Sequence, residues 1–158
     1  MSSLMEGLFV AIDEGRTVKP LDVVGETTLV KVGAAETGGA FATFYLSAPP
    51  MSGPPLHRHS REDELFYVLD GELEFEVAGT RTKAPAGTTV YLPRGTTHAY
   101  QNFTPSVVNL LITVAPAGME RLFEEMSATM EGGKAPDFAL LAELNAAHGV
   151  EILGPPLS

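Results

Sequence analysis

The chain has 158 residues, a length that suits one domain, and 44% of them are hydrophobic, enough for a substantial core. Twenty acidic side chains stand against ten basic ones, a formal net charge of −10, which argues against nucleic acid and anionic membrane as partners. With no cysteine, disulfides and thiolate chemistry are excluded, and a metal would have to be held by nitrogen and oxygen.

Residues 1–25 read as an irregular leader with one short apolar run, Leu8 to Ile12. Met1 to Ile12 has neither the basic region nor the uninterrupted apolar stretch of a signal peptide, and no segment approaches the ~20 apolar residues of a membrane span, so a soluble, cytoplasmic protein is expected. Thr27–Val32 and Ala40–Ser47 are rich in β-branched and aromatic residues and flank Gly38-Gly39, which reads as a strand pair. Ala48–Pro55 holds too many prolines for a central strand and reads as a loop. Leu65–Leu69 reads as a short buried strand. Asp70-Gly71 is a turn signal, and in Glu72–Val77 acidic and apolar residues alternate strictly, giving one wet and one dry face. Thr80–Lys83, Thr88–Leu92, His98–Phe103 and Val107–Val114 continue the meander. Eight or more short strands with Gly and Pro turns indicate an all-β antiparallel sandwich or barrel.

After Pro116 the period changes. Met119, Leu122, Phe123, Met126 and Met130 recur at helical spacing, and Gly132-Gly133 ends that helix. Pro136-Asp137 opens a second helix with Phe138, Leu141 and Leu144 on one face and Gly149 as its stop. Residues 1–116 are thus expected to form the barrel with its leader, and 117–158 a helical extension packed on it rather than a separate domain. The stripe Met119, Leu122, Phe123 and Met126 has to be buried, either against the barrel or in a second subunit. A homodimer is expected.

Three of the four histidines and one glutamate mark the candidate site: His57, His59, Glu64 and His98. Three imidazoles and a carboxylate make up a ligand set for a divalent transition metal. On an extended segment His57 and His59 share a face, their Cα atoms about 6.6 Å apart, close enough to bend onto one ion. Glu64 lies an odd number of residues beyond His59, so Ser60–Asp63 must turn to bring it back. Glu62 and Asp63 compete with it for the carboxylate position. Glu62 otherwise reads as solvated, or as an acid supporting a ligand. His148, at the end of the second helix, is expected to meet the helix dipole rather than to do chemistry.

The spacings around these residues resemble the paired motifs of the cupin superfamily. The first motif is His-x-His, three or four residues, Glu, six residues, Gly, matched by His57, His59, Glu64 and Gly71. The second is Gly, five residues, Pro-x-Gly, two residues, His, three residues, Asn, matched by Gly87, Pro93, Gly95, His98 and Asn102. Only Glu64 keeps the six residues before Gly71. One departure is Met51, where the family usually has a Gly six residues before the first His. The resemblance implies an antiparallel double-stranded β-helix (jelly-roll, cupin barrel) with two C-terminal helices appended. It also implies one metal per chain held by His57, His59, Glu64 and His98: Fe, Mn, Ni or Co, with Zn possible.

Across the whole chain, Thr37–Ala40, the Gly53–His59 segment and the tail His148–Pro156 resemble single-domain bacterial cupins described as quercetin dioxygenase-like. That likeness implies an enzyme opening a flavonol-like, aromatic or enolisable small molecule with dioxygen. Glu64 would double as general base, and Phe66, Val68, Tyr91 and Tyr100 would supply an apolar wall. The alternatives are a metal-dependent isomerase or lyase on a sugar or keto acid, and a non-catalytic small-molecule binder.

Overall fold

A computed structural model describes residues 6–158. The first five residues of the expected leader lie outside the described residues, and 6–20 carry no regular structure. The leader then ends earlier than expected, in β1 (Leu21–Val23), which pairs with β2 (Glu26–Val32). The two residues between them, Val24 and Gly25, have φ of 52° and 87°. A type I′ hairpin turn requires positive φ at both positions, and its twist matches that of the strands it joins.

A one-turn helix α1 (Ala34–Thr37) leads to β3 (Ala42–Ala48). The proline-rich loop that follows delivers β4 (His57–His59), and after a crossing come β5 (Asp63–Val68) and β6 (Glu72–Val77). The strands continue with β7 (Thr80–Pro85), β8 (Thr89–Leu92), β9 (His98–Gln101) and β10 (Val108–Ala115). Helices α2 (Met119–Thr129) and α3 (Phe138–Ala147) and a last strand β11 (Val150–Ile152) complete the chain.

All pairings are antiparallel. One sheet has six strands in the order β1-β2-β3-β10-β5-β8, the other five in the order β11-β4-β9-β6-β7. The fold is the double-stranded β-helix expected from the sequence. The inner faces of the two sheets supply the core, with Phe44, Leu46, Val68, Leu73, Phe75, Leu110 and Val114 all but inaccessible. Alternation produces this: in β3 and β10 every second residue is buried along the whole strand. Each fully buried Leu or Phe of this set stabilises the fold by roughly 1.5–3 kcal/mol.

The apolar stripe of α2 is used inside the chain. Met119, Leu122 and Met126 are buried, and Phe123 packs edge-on against Phe44 with ring centroids 5.0 Å apart. Helix α2 lies against β1 of the larger sheet, and α3 lies against β11 of the smaller one. The pair therefore bridges the two sheets across the open side of the barrel. Asp137 caps α3 by accepting the Leu140 N–H at 3.1 Å, as the Pro-Asp start implied. Strand β11 was not expected. Val150 to Ile152 pair with His59 to His57, so the C-terminal tail becomes the edge partner of the strand that carries two of the candidate ligands.

Candidate metal centre

The two sheets meet at this site. Strand β4 holds His57 and His59 inward, while Arg58 between them faces out and pairs with Glu151 of β11 at 2.6 Å. Residues 60–62 then carry the chain from the smaller sheet to the larger one, which is the turn that the odd spacing required. Glu64 arrives on β5 facing the histidines. His98 opens β9 directly opposite His57, with ring centroids 4.3 Å apart. One ligand atom from each of the four residues falls within 4.8 Å of all the others, and all four residues are buried.

Each imidazole is oriented by its other nitrogen. Nδ1 of His57 lies 2.7 Å from the Pro55 carbonyl and Nδ1 of His98 lies 2.9 Å from the Thr96 carbonyl. A carbonyl only accepts, so these nitrogens carry the protons and both Nε2 atoms present lone pairs to the centre. Nδ1 of His59 meets Oε2 of Glu62 at 3.2 Å. Glu62 is buried, so it is the supporting acid rather than the solvated carboxylate. Its partnership with an Nδ1 is a common arrangement behind metal-bound histidine. Asp63 is ion-paired with Arg94 on the surface, and His148 caps α3 and contacts Glu125 at 2.9 Å.

The centre of the cluster is unsatisfied. Oε2 of Glu64 lies 2.8 Å from Nε2 of His98 and 3.4 Å from Nε2 of His59, yet none of the three atoms makes a hydrogen bond. Buried polar atoms are rarely left so. A lone-pair nitrogen facing a carboxylate oxygen is repulsive unless a cation lies between them. The donor set, the tautomers and these three orphaned atoms all fit a divalent transition metal. Burial, with the neighbouring imidazoles, pushes His57 down to about 3, so it is a neutral ligand at any ordinary pH. Burial would also lower His59 and raise Glu64. Glu62 and Glu64 lift His59 instead, and contact with His98 together with the three imidazoles holds Glu64 low and ionised.

A cavity of about 280 Å³ opens onto the cluster. Leu46, Phe66, Ile112, Met119, Leu122 and Phe123 form much of its wall, joined by the buried Leu141 and the largely exposed Phe138 of α3. Of the four expected wall residues, Phe66 and Tyr100 line it. Val68 does not: two residues along β5 from Phe66, it is packed in the core at 0% exposure. Tyr91 does not either, since its parity on β8 turns it outward, 60% exposed. Sequence reasoning missed the helical wall, and it missed Glu26. This buried carboxyl also lines the cavity and accepts hydrogen bonds from Tyr100 Oη at 2.7 Å and Ser52 Oγ at 3.0 Å. It shares the inward parity of Thr28 and Val30, a signal visible once the strand is begun one residue earlier.

Residues 44–114, the stretch that carries all four ligands, match the family model described as Cupin domain. The barrel is of the cupin type. Comparison with curated proteins gives no match. Among solved structures, the chain is similar to a predicted oxalate decarboxylase from Thermotoga maritima, with 24% identity over 58% of this chain and 80% of that one, TM-score 0.54. It is also similar to KdgF from Halomonas sp., with 17% identity over 73% of this chain and 99% of that one, TM-score 0.60. An uncharacterized double-stranded β-helix protein from Klebsiella pneumoniae is 20% identical over 72% of this chain and 93% of that one, TM-score 0.55. At these identities the likeness is one of fold. No helix among the described residues is long and apolar enough to cross a membrane.

Proposed function

We propose that the protein is a metal-dependent dioxygenase acting on a small, uncharged, enolisable or aromatic compound of flavonol or β-diketone type. One observation carries this reading: a cluster of three histidines and a glutamate, with orphaned atoms on His59, Glu64 and His98, borders through His57, His59 and Glu64 a cavity whose lining among the described residues includes no lysine or arginine. Ligand sites built mainly of aliphatic and aromatic side chains take apolar molecules and use a few polar groups for orientation. His57, His59, Glu64 and His98 would hold one ion. When bound, it supplies Lewis acidity toward a substrate oxygen and a place for dioxygen beside it. Phe66 and the α2 and α3 side chains exclude water and press the apolar body of the substrate toward the ligands. Glu64 presents a carboxylate oxygen where an enol or hydroxyl proton must leave, which suits it as general base.

The non-oxidative alternative, an isomerase or lyase, draws support from the solved neighbour described as a predicted oxalate decarboxylase. A dicarboxylate or keto acid brings one or two negative charges, and a cavity without a cationic side chain beyond the metal ligands is poorly matched to them. The test is elemental analysis of the purified chain, followed by oxygen-electrode assays with the identified metal restored. About one metal per chain and oxygen uptake with a flavonol or β-diketone support the proposal. Metal-replete protein that turns over a keto acid without oxygen, or consumes no oxygen with any of these compounds, overturns it.

A further inference from the structure

Among the described residues, Glu26 is the one carboxyl of the cavity wall that is not a candidate metal ligand. It is 5% exposed, and among the described residues no lysine or arginine pairs with it. Its hydrogen bonds come from two hydroxyls, Tyr100 on β9 and Ser52 in the loop before β4. A carboxyl has about four acceptor positions, so two remain, or one remains beside an O–H when the group is protonated. Tyr100 shares its face of β9 with His98, two residues away, and its ring lies 5.9 Å from that of Phe66, which itself lies 6.2 Å from His98. The carboxyl is therefore linked through Tyr100 to the ligand end of a space otherwise bounded mainly by hydrocarbon. An apolar wall would cost less at this position, because burying a carboxyl without a cation is unfavourable in either protonation state unless something hydrogen-bonds it.

We propose that Glu26 determines substrate specificity: it hydrogen-bonds an oxygen substituent on the apolar body of a molecule whose enol oxygens are held at the metal ligands. This rests on the function proposed above and deepens it. The substrate class becomes a neutral enolisable compound with a second, separate hydroxyl. Burial pushes the carboxyl up to about 7, although Tyr100 and Ser52 pull it back, so near neutral pH it is available both as donor and as acceptor. The titratable groups that share the cavity with it are Tyr100, His57, His59 and Glu64.

The test uses the full chain loaded with its metal, without oxygen so that no turnover occurs, and two probes: benzoylacetone and its para-hydroxymethyl derivative. Binding is read from the enolate absorbance. The wild type should prefer the hydroxymethyl probe by about tenfold, the worth of one buried hydrogen bond. In Glu26→Leu that ratio should fall to about one, with benzoylacetone affinity and metal content unchanged. If Glu26→Leu melts early or loses metal, Glu26→Gln decides, because it keeps the side-chain size and an acceptor. The wild-type preference should grow as pH rises through about 7 and a charged acceptor forms, while that of Glu26→Gln should stay flat. Equal binding of the two probes by the wild type, a tenfold ratio surviving in Glu26→Leu, or equal weakening of both probes overturns the inference and leaves the proposed function standing. Failure of either probe to bind metal-loaded wild type overturns the substrate class itself, and the inference with it.

Discussion

Met51 stands at φ 62°, in the left-handed region, where its N–H donates to the Asn102 carbonyl at 2.7 Å and its carbonyl accepts from Gln101 Nε2 at 2.6 Å. The loop thus takes the shape a glycine would give it without having the glycine. The side chain is 63% exposed and contributes little packing. Met51→Gly should stabilise the fold by about 0.5–1 kcal/mol, since relief of the left-handed strain outweighs the entropy glycine adds to the unfolded chain. A urea midpoint shifted upward with an unchanged slope would verify it. Two residues on, the opposite constraint holds. A Cβ at Gly53 would sit 2.0 Å from the Tyr100 carbonyl oxygen, so that position admits only glycine. Single residues of the site were legible to unequal degrees. His57, His59, Glu64 and His98 could be read because motif spacing fixes them. Glu62 was left between two readings, solvated or supporting a ligand, because its partnership with His59 depends on the fold of 60–62 and not on any period. Its role can be measured: Glu62→Ala should weaken metal binding about 10–100-fold in chelator competition, and Glu62→Gln, which keeps an acceptor for Nδ1–H, by clearly less.

The C-terminal elements act as one unit. Helix α3 walls the cavity, lies against β11, and β11 pairs with the strand that carries His57 and His59. Helical period identified α2 and α3, because a stripe of Met, Leu and Phe at that spacing has one reading, and the Pro136-Asp137 pair marked where α3 starts. It left open what the stripe would face, since a barrel mouth and a partner subunit accept the same side chains. Strands β1 and β11 were illegible for another reason: three residues each carry no period, and they are strands only because a neighbour supplies the ladder. The unit predicts its own weakness. Asp137→Ala removes the cap and should cost α3 about 1 kcal/mol. Hydrogen exchange should then speed up across 138–152 while the core strands β3, β5 and β10 keep their protection. Uniform acceleration through the barrel would mean that the helices are integral to it rather than a separable cover.

At the scale of the whole molecule, fold and ligand cluster followed from two motif blocks, whereas the chemistry of the cavity depended on which side chains the tertiary structure turned inward. Glu26 is the clearest case, and it leaves a mark on global stability. Its carboxyl stands at about 7 in the folded protein against an ordinary value of 4.5, because burial disfavours the charge. Between those values the native state holds a proton that the unfolded chain has released. Stability from this group is therefore complete below about 4.5, declines as pH rises, and is lost above about 7. The shift is worth about 3 kcal/mol. Other groups bend the absolute curve: neutral His57 loses stability toward acid, and Asp63, held low by Arg94, loses it only in strong acid. A comparison with Glu26→Gln cancels both, because only the wild type titrates at position 26. Denaturant unfolding of metal-free wild type and Glu26→Gln from about pH 4 to about pH 9 should show the variant gaining on the wild type by up to about 3 kcal/mol, most steeply between 4.5 and 7. A difference that stays constant over that range would mean that Glu26 is already ionised near its ordinary value, with water reaching it through the cavity.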